Sequence, residues 1–574
     1  MKSPNPIFFD KPYKVFFVLL LPALLVYVKS VKFGFTTMDE QWMIVKDFAF
    51  LEKWSSIKRA FLTPSTEIYY RPLFLVSLII DYHLGKLSPG IYHFTNLVWH
   101  LISVVLLYRF LVVCDVPKKN AFIFTLLFSV HPVLLHAVAW VPGRNDIMLA
   151  AFTLASLIQL KKYMDAGLKK YFFLNLLFLC CALFTKESAI LLPLVFIAFY
   201  LTFQKFEFKK TLPVILAWIV ITFLWLLLWN SIAGNGIRSN NDLGTNLLNF
   251  ILGSLLFIGK TVFPFQQSVM PTLSNTSVVP GILTLGLLIF LCFTPGLKNK
   301  KVAFLGLLIF AVLLAIPVWF GASKIGSEHY EQRIYGSMAG LMLFFTQLKF
   351  NTDSKSYLWA VGIFLAVFLI KTNTRIDIYK NQVSFMDAGI KECPDYYLFY
   401  LQKADMLNDK GDFNASIPYY DKTIAIRPNY PQSLSNRGSA YFSTGRFKEA
   451  IDDYNKAIAN SEFNKLYYLN RCQAYYRYGN IESAMKDLVI IKKCCQDIVK
   501  ADLEKNIIDK WTVHVEGIKK QLSTDPQNPA LYYKIATLYF DIEMKEGGLK
   551  YLNHAILLDP ANEEYKQLQL KQKS

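Results

Sequence analysis

The sequence predicts an all-α protein in two parts: a polytopic transmembrane helix bundle of about 11 crossings, then a solenoid of stacked helix pairs. Three observations predict it. Of 574 residues, 54% are hydrophobic and only 18% charged, whereas soluble domains run near a quarter charged, so a single soluble domain is excluded. The apolar runs, separated by short polar loops, stop near Lys371. Beyond that point charged residues, Tyr and Ala recur at helical spacing with no long apolar stretch. An aromatic content of 16% excludes disorder. The eight cysteines lack a repeated C-x-x-C spacing, so neither a disulfide framework nor a zinc ribbon is expected. The pairs Cys180-Cys181 and Cys494-Cys495 read as residues of helix faces. A net charge of +19 reflects Lys and Arg collected in inner loops, and no nucleic-acid partner is expected.

A bilayer core of about 30 Å needs roughly 20 mostly apolar residues per helix. The candidate spans are 13–29, 92–114, 120–140, 146–161, 171–185, 188–204, 211–231, 280–296, 302–320, 334–348 and 357–371. Lys2, Lys11 and Lys14 precede the first and put the N-terminus in the cytoplasm; the span lacks a small-residue cleavage site and reads as an anchor. Lys118-Lys119, then Lys161, Lys162, Lys169 and Lys170, then Lys205, Lys209 and Lys210 fall on alternate loops, as the positive-inside rule requires. Lys298, Lys300, Lys301 and the 349–355 loop belong inside as well. The two halves agree when segment 247–265, which contains Lys260 and runs into Pro264 and Pro271, is re-entrant or interfacial. The repeats then lie outside; if the segment crosses, they lie inside or another span is wrong. Segment 71–85, short and carrying Arg71, Asp81 and His83, is expected at the outer interface.

The boundary falls in the polar connector between Lys371 and Pro394, giving domains 1–380 and 394–574. Gly411, Gly445 and Gly479 are 34 residues apart, as are Tyr441 and Tyr475, and Ala450 and Ala484. This period, with GDFNASIPYYDKTIAIRPN and GRFKEAIDDYNKAIAN, resembles the tetratricopeptide repeat. Ser416 and Thr423 stand where alanine is usual, a degenerate helical stretch follows, and a last unit ends at Pro560. Such stacks bury a continuous core and leave a groove for a peptide or partner protein, or act as a spacer.

Polar residues recur where spans meet the outer face. Asp39-Glu40 follows the first span; a transferase acting on hydroxyls needs a carboxylate there to take the acceptor's proton, although two hydrated loop acids would look the same. Tyr69-Tyr70-Arg71-Pro72, Tyr92-His93-Phe94-Thr95-Asn96, His131-Pro132 with His136, Arg144-Asn145-Asp146, Lys186-Glu187 and Glu331-Gln-Arg333-Ile-Tyr335 follow, all at outer ends under the eleven-crossing topology. Their convergence predicts a shared water-accessible cavity, in which Arg and Lys suit a phosphate. One at a time, such cations are more often snorkelling anchors.

In this order the motifs resemble the GT-C glycosyltransferases that end in tetratricopeptide repeats, the transmembrane O-mannosyltransferase-type proteins of animals and their bacterial relatives. The resemblance implies a polyprenyl-phosphate-linked sugar as donor and transfer to a hydroxyl of a protein or glycan on the extracytoplasmic face. It implies Asp39 as general base, Glu40 positioning the acceptor or the base, and Arg71, Arg144 and Arg333 gripping the lipid phosphate. His93, Asn96, His131, His136, Asp146, Lys186, Glu187, Glu331 and Tyr335 complete the expected substrate site. Relatives usually carry Glu where this chain has His136, which supplies no fixed negative charge. No full metal-ligand set is visible, and neither metal nor other cofactor is expected. The expected partners are the lipid-linked sugar, membrane lipid and a peptide or protein at the repeats; the expected location is a bacterial inner membrane with the repeats extracytoplasmic. A non-enzymatic envelope scaffold and a lipid-linked glycan transporter or polymerase stand as alternatives. The transporter reading fits less well, because the clusters sit at one side rather than the midplane.

Overall fold

The computed structural model describes residues 11–36, 38–65, 69–233, 243–322, 329–461, 463–494 and 500–573; Lys2 and Cys495 lie outside them. The chain divides into two units, Met1–Pro394 and Asp395–Ser574. Among the described residues both are helical, the one β-type pairing being an isolated bridge between Leu297 and Leu348.

In the first unit the principal helices are α1 (Pro12–Tyr27), α2 (Pro72–Gly85), α3 (Pro89–Val113), α4 (Lys118–Ser129), α5 (Leu135–Ala139), α6 (Arg144–Ala166), α7 (Lys169–Leu183) and α8 (Leu192–Phe203). They continue as α9 (Phe208–Ala233), α10 (Leu243–Val262), α11 (Val279–Phe293), α12 (Lys300–Ala322), α13 (Met338–Thr346), α14 (Lys355–Arg375) and α15 (Gln382–Glu392). Proline opens α1, α2, α3 and α11 within the first turn, where its missing N–H would have had no intrahelical acceptor. Large apolar side chains face outward on α9 (Leu216, Ile219, Phe223), α11 (Ile282, Phe290, Phe293) and α14 (Trp359, Ile363, Phe364), the surface a helix presents to lipid rather than to water. The unit is a multi-pass membrane bundle.

Among the described residues, seven helical stretches are long and apolar enough to cross a bilayer: Pro12–Lys32, Pro89–Val113, Val141–Ala166, Phe208–Ala233, Gly244–Val262, Lys300–Ala322 and Lys355–Tyr379. An eighth appears when Lys118–Ser129 and Pro132–Ala139, bent by 51° at the His131-Pro132 step, are taken as one. The expected spans 171–185, 188–204, 280–296 and 334–348 form shorter helices, the last only nine residues in α13. Segment 247–265, expected not to cross, meets the length and composition criteria as Gly244–Val262.

Small residues set the closest approach. A Cβ on Gly306 of α12 would come within 2.6 Å of the Gly340 carbonyl oxygen of α13, so the two backbones touch without side chains between them. The connector after Lys371 is structured: Asn381 and Ser384 form a reciprocal capping box at the start of α15, and Arg375 makes two hydrogen bonds to Glu392 at 2.7 and 2.8 Å.

The second unit is built of antiparallel helix pairs: Tyr397–Asp409 with Phe413–Ile426, Pro431–Ser443 with Phe447–Ala459, and Lys465–Tyr478 with Ile481–Cys494. A long helix, Ala501–Thr524, carries the degenerate stretch, and Pro529–Asp541 pairs with Lys545–Leu558. The chain continues beyond Pro560 as helix Glu563–Lys573, whose Tyr565 packs with Ala536, Leu552 and Ala555. Gly411, Gly445 and Gly479 have φ of +83°, +78° and +92°. The 34-residue glycine period therefore marks the left-handed residue that ends the first helix of each pair.

Candidate active site

The residues that follow α1, α7 and α12, together with the start of α6, meet around a cavity of about 180 Å³. Of the fourteen expected site residues it gathers six: Asp39, Arg71, Asp146, Lys186, Glu187 and Arg333. Two ion pairs order its wall. Arg71 donates to Glu187 Oε2 at 2.9 Å, its guanidinium lies 4.0 Å from the Tyr69 ring, and the Tyr70 amide donates to Glu187 Oε1 at 3.0 Å. Lys186 Nζ donates to Asp146 Oδ1 at 2.5 Å and to Asn145 Oδ1 at 3.1 Å. Burial brings the Lys186 ammonium down to about 8 against the pull of Asp146, and Arg71 and Arg333 push it the same way. Three cations thus converge in a space that also holds carboxylates, and each is fixed by partners that would pre-aim it at an entering anion.

Arg333 donates to the Pro317 carbonyl oxygen at 3.1 Å and lies over the Tyr330 ring at 5.2 Å. Tyr330 stacks on Trp140 with ring planes 12° apart, and both rings line the cavity. Sequence reasoning did not single out this aromatic pair. Its only signal was position, one residue before Glu331 and at the corner that precedes Arg144. The cavity shares Glu187, Ile316 and Phe320 with a second, apolar one of about 400 Å³ lined by Trp225, Trp229 and Trp319. A third of about 370 Å³ joins that one through Phe250 and Ala315 and runs between α10, α11 and α12.

The other eight expected residues do not line the cavity, and the structure shows why. Arg144 is fully buried: it pairs with Asp81 at 2.6 Å and donates to Asn96 Oδ1 at 2.7 Å, Ser77 Oγ at 3.0 Å and the Tyr92 carbonyl at 2.8 Å. The expected phosphate grip is therefore a strut between α2, α3 and α6. Asn96 belongs to the same strut and also donates to the Trp140 carbonyl at 3.0 Å. Asp81, expected at an interface, is only 1% exposed. His93 is buried, facing the Gly34 carbonyl at 3.2 Å. His131 caps the 132–134 turn through the Val133 amide. His136 is buried behind the aromatic pair, 5.0 Å from Trp140 between ring centroids. Tyr335 is buried against His100 Nδ1 at 2.7 Å, and Glu331 pairs with Lys260 at 2.6 Å, both members 2% exposed.

Asp39 and Glu40, adjacent in sequence, part company. Asp39 lines the cavity, whereas Glu40 is fully buried and accepts from the Thr36 hydroxyl at 2.5 Å. Burial pushes the Glu40 carboxyl up to about 7, against the Thr36 hydrogen bond, with the Asp39 charge adding to the rise. Among the described residues no three His, Cys, Asp or Glu side chains are grouped to hold a metal ion.

These features define a class: a multi-pass helical bundle with a polar cavity at one end, carrying a C-terminal repeat solenoid. The repeats match the family models described as tetratricopeptide repeat at residues 397–430, 431–464 and 529–562. The chain is similar to a protein O-mannosyl-transferase of Caenorhabditis elegans, 24% identical over 390 residues, covering 63% of this chain and 54% of that protein. It is similar over shorter stretches to mouse protein O-mannosyl-transferase TMTC1 (34% identical, 21% of this chain and 14% of that one) and TMTC3 (37%, 16% and 10%). The match thus spans about half the length of the worm relative and less of the mouse ones. Among solved structures, ArnT from Cupriavidus metallidurans bound to undecaprenyl phosphate aligns with a TM-score of 0.36 at 15% identity, over 76% of this chain and 79% of that one.

Proposed function

We propose that the first unit is a glycosyltransferase that moves a sugar from a polyprenyl-phosphate donor to a hydroxyl of a protein or glycan on the extracytoplasmic face of a bacterial inner membrane. One observation carries the reading: Asp39 shares a cavity of about 180 Å³ with Arg71, Lys186 and Arg333. Asp39 takes the proton of the acceptor hydroxyl while that oxygen attacks the anomeric carbon. The bond from that carbon to the phosphate oxygen breaks, and the polyprenyl phosphate leaves with the electron pair. The three cations hold the charge on the leaving phosphate, so it needs little acid assistance. The apolar cavities that continue from this site, the first lined by Trp225, Trp229 and Trp319, suit an isoprenoid chain. Glu40, buried behind Asp39, orders the loop that carries the base.

In this reading the repeats lie on the same side as the cavity and bind a peptide or partner protein. The activity named for the relatives makes mannose the first sugar to test. Purified protein carrying Asp39→Asn should insert normally yet turn over roughly 10²–10⁴ times more slowly with a polyprenyl-phosphate sugar. Transfer at the wild-type rate would remove the catalytic role. Insertion of the variant is checked by the same membrane fractionation as for the wild type.

A further inference from the structure

The bundle has another cavity, at the opposite end of α6 from Asp146, that the proposed transfer does not use. It has a volume of about 450 Å³ and opens between α1, α3, α6 and α7. From Asp146 to Lys162 the helix rises about 24 Å, most of a bilayer core. Phe16 of α1 and Phe178 of α7 form apolar walls, and Arg109, Lys118 and Lys162 stand around it. No Asp or Glu is among its described lining residues. The side-chain oxygen of Gln159, which also lines it, is buried with no hydrogen-bond partner among the described residues. A buried acceptor left without a donor is unfavourable, so this oxygen points to a missing hydroxyl or amide.

We propose that this cavity holds an anionic glycerophospholipid of the leaflet opposite the candidate active site. An acyl chain packs against Phe16 and Phe178, the phosphodiester sits among Arg109, Lys118 and Lys162, and a hydroxyl of the headgroup donates to Gln159. Charge decides the class: a zwitterionic lipid would bring a cation toward three others with no lining carboxylate to receive it. Basic clefts between helices at a membrane surface select anionic headgroups for this reason. The site stands or falls independently of the transferase reading, since it shares no residue with that cavity.

The test is native mass spectrometry of the purified full chain after reconstitution in nanodiscs of phosphatidylglycerol and phosphatidylcholine mixed equally. The wild type should retain phosphatidylglycerol in preference to phosphatidylcholine, and Arg109→Gln/Lys162→Gln should lower that preference about 25-fold, roughly fivefold per cation removed. Gln159→Leu keeps the charges and should lower it as well. Should the double variant fail to insert, each single variant is read against the fivefold expectation. Equal retention of the two lipids by the wild type would overturn the proposal, as would an unchanged preference in the variants. Competition by inorganic phosphate alone that strips the bound lipid would also overturn it, because the site would then recognise the free anion.

Discussion

Replacing Arg144 by Met separates a structural strut from a substrate grip. Arg144 is fully buried and has four partners: Asp81 at 2.6 Å, Asn96 at 2.7 Å, Ser77 at 3.0 Å and the Tyr92 carbonyl at 2.8 Å. Its loss leaves Asp81, 1% exposed, with the Thr95 hydroxyl at 2.7 Å as its remaining hydrogen-bond partner. Removing one member of such a buried pair costs about 3–5 kcal/mol, because the other is left charged and unpaired. An arginine at a wet cavity would cost no more than about 1 kcal/mol of stability. The geometry therefore predicts a large loss of stability in Arg144→Met, measured by reversible unfolding in mixed micelles followed by tryptophan fluorescence. Asp81→Leu/Arg144→Met should recover most of it, since replacing a buried pair by apolar residues is often nearly neutral. A variant as stable as wild type that had lost only its affinity for the lipid-linked sugar would refute the strut. Arg144 would then return to the donor site.

Three other outcomes are expected. The Glu40 carboxyl titrates near 7 in the folded chain and near its ordinary value of 4.5 when unfolded. The folded state therefore binds more protons between those values, and stability falls as pH rises from about 4.5 to about 7. Glu40→Gln should flatten that slope and exceed wild-type stability at pH 8; an unchanged slope in melting curves at pH 5 and pH 8 would contradict it. Gly445 has φ of +78° with open space where a Cβ would stand, so Gly445→Ala should destabilise the repeats by about 1–2 kcal/mol through the backbone alone, as read by circular dichroism of the full chain, and Gly445→Asn by less. Single cysteines placed on the repeats should react with an impermeant maleimide in intact spheroplasts, and protection there would put the repeats inside.

The repeats were legible because a period survives loss of the individual consensus residues: Ser416 and Thr423 replace alanines and are still buried. A second signal at the same period lies in the charged residues. Arg437 bridges Asp421 and Asp453 at 2.6 and 2.7 Å, and Arg471 bridges Asn455 and Asp487 at 2.7 and 2.6 Å. All three positions recur 34 residues apart, so the ladder ties each first helix to its own second helix and to the one before. At the candidate site, sequence order brought forward the right motifs but not the depth of their residues. Arg71 and Arg144 look alike as Arg in a polar motif, and only the position of a partner separates them. Glu187 holds Arg71 at the cavity wall, whereas Asp81 holds Arg144 inside. Each partner lies more than 60 residues away along the chain, and no local pattern encodes that distance.

Lys260 shows how the same blindness bears on topology. In the sequence it argues against a crossing, because a lysine at the centre of a spanning helix costs about 2.5–3.5 kcal/mol on insertion scales. In the structure its charge is met by Glu331 at 2.6 Å, so that objection no longer applies. Asn249, near the start of α10, donates to the Ala322 carbonyl at 3.4 Å, and the neighbouring Phe250 packs on Trp319. Near the other end, Lys260 reaches Glu331, two residues before Arg333, which is itself bonded to the Pro317 carbonyl. Residues 249 to 260 advance about 16 Å along α10; Asn249, Phe250 and Lys260 meet groups near the end of α12, while Ser254 and Ile258 share a cavity with Leu307, Phe310 and Ala311 farther back on it. Apolar length makes α10 eligible to cross, and its one lysine, paired with Glu331, is no bar to it.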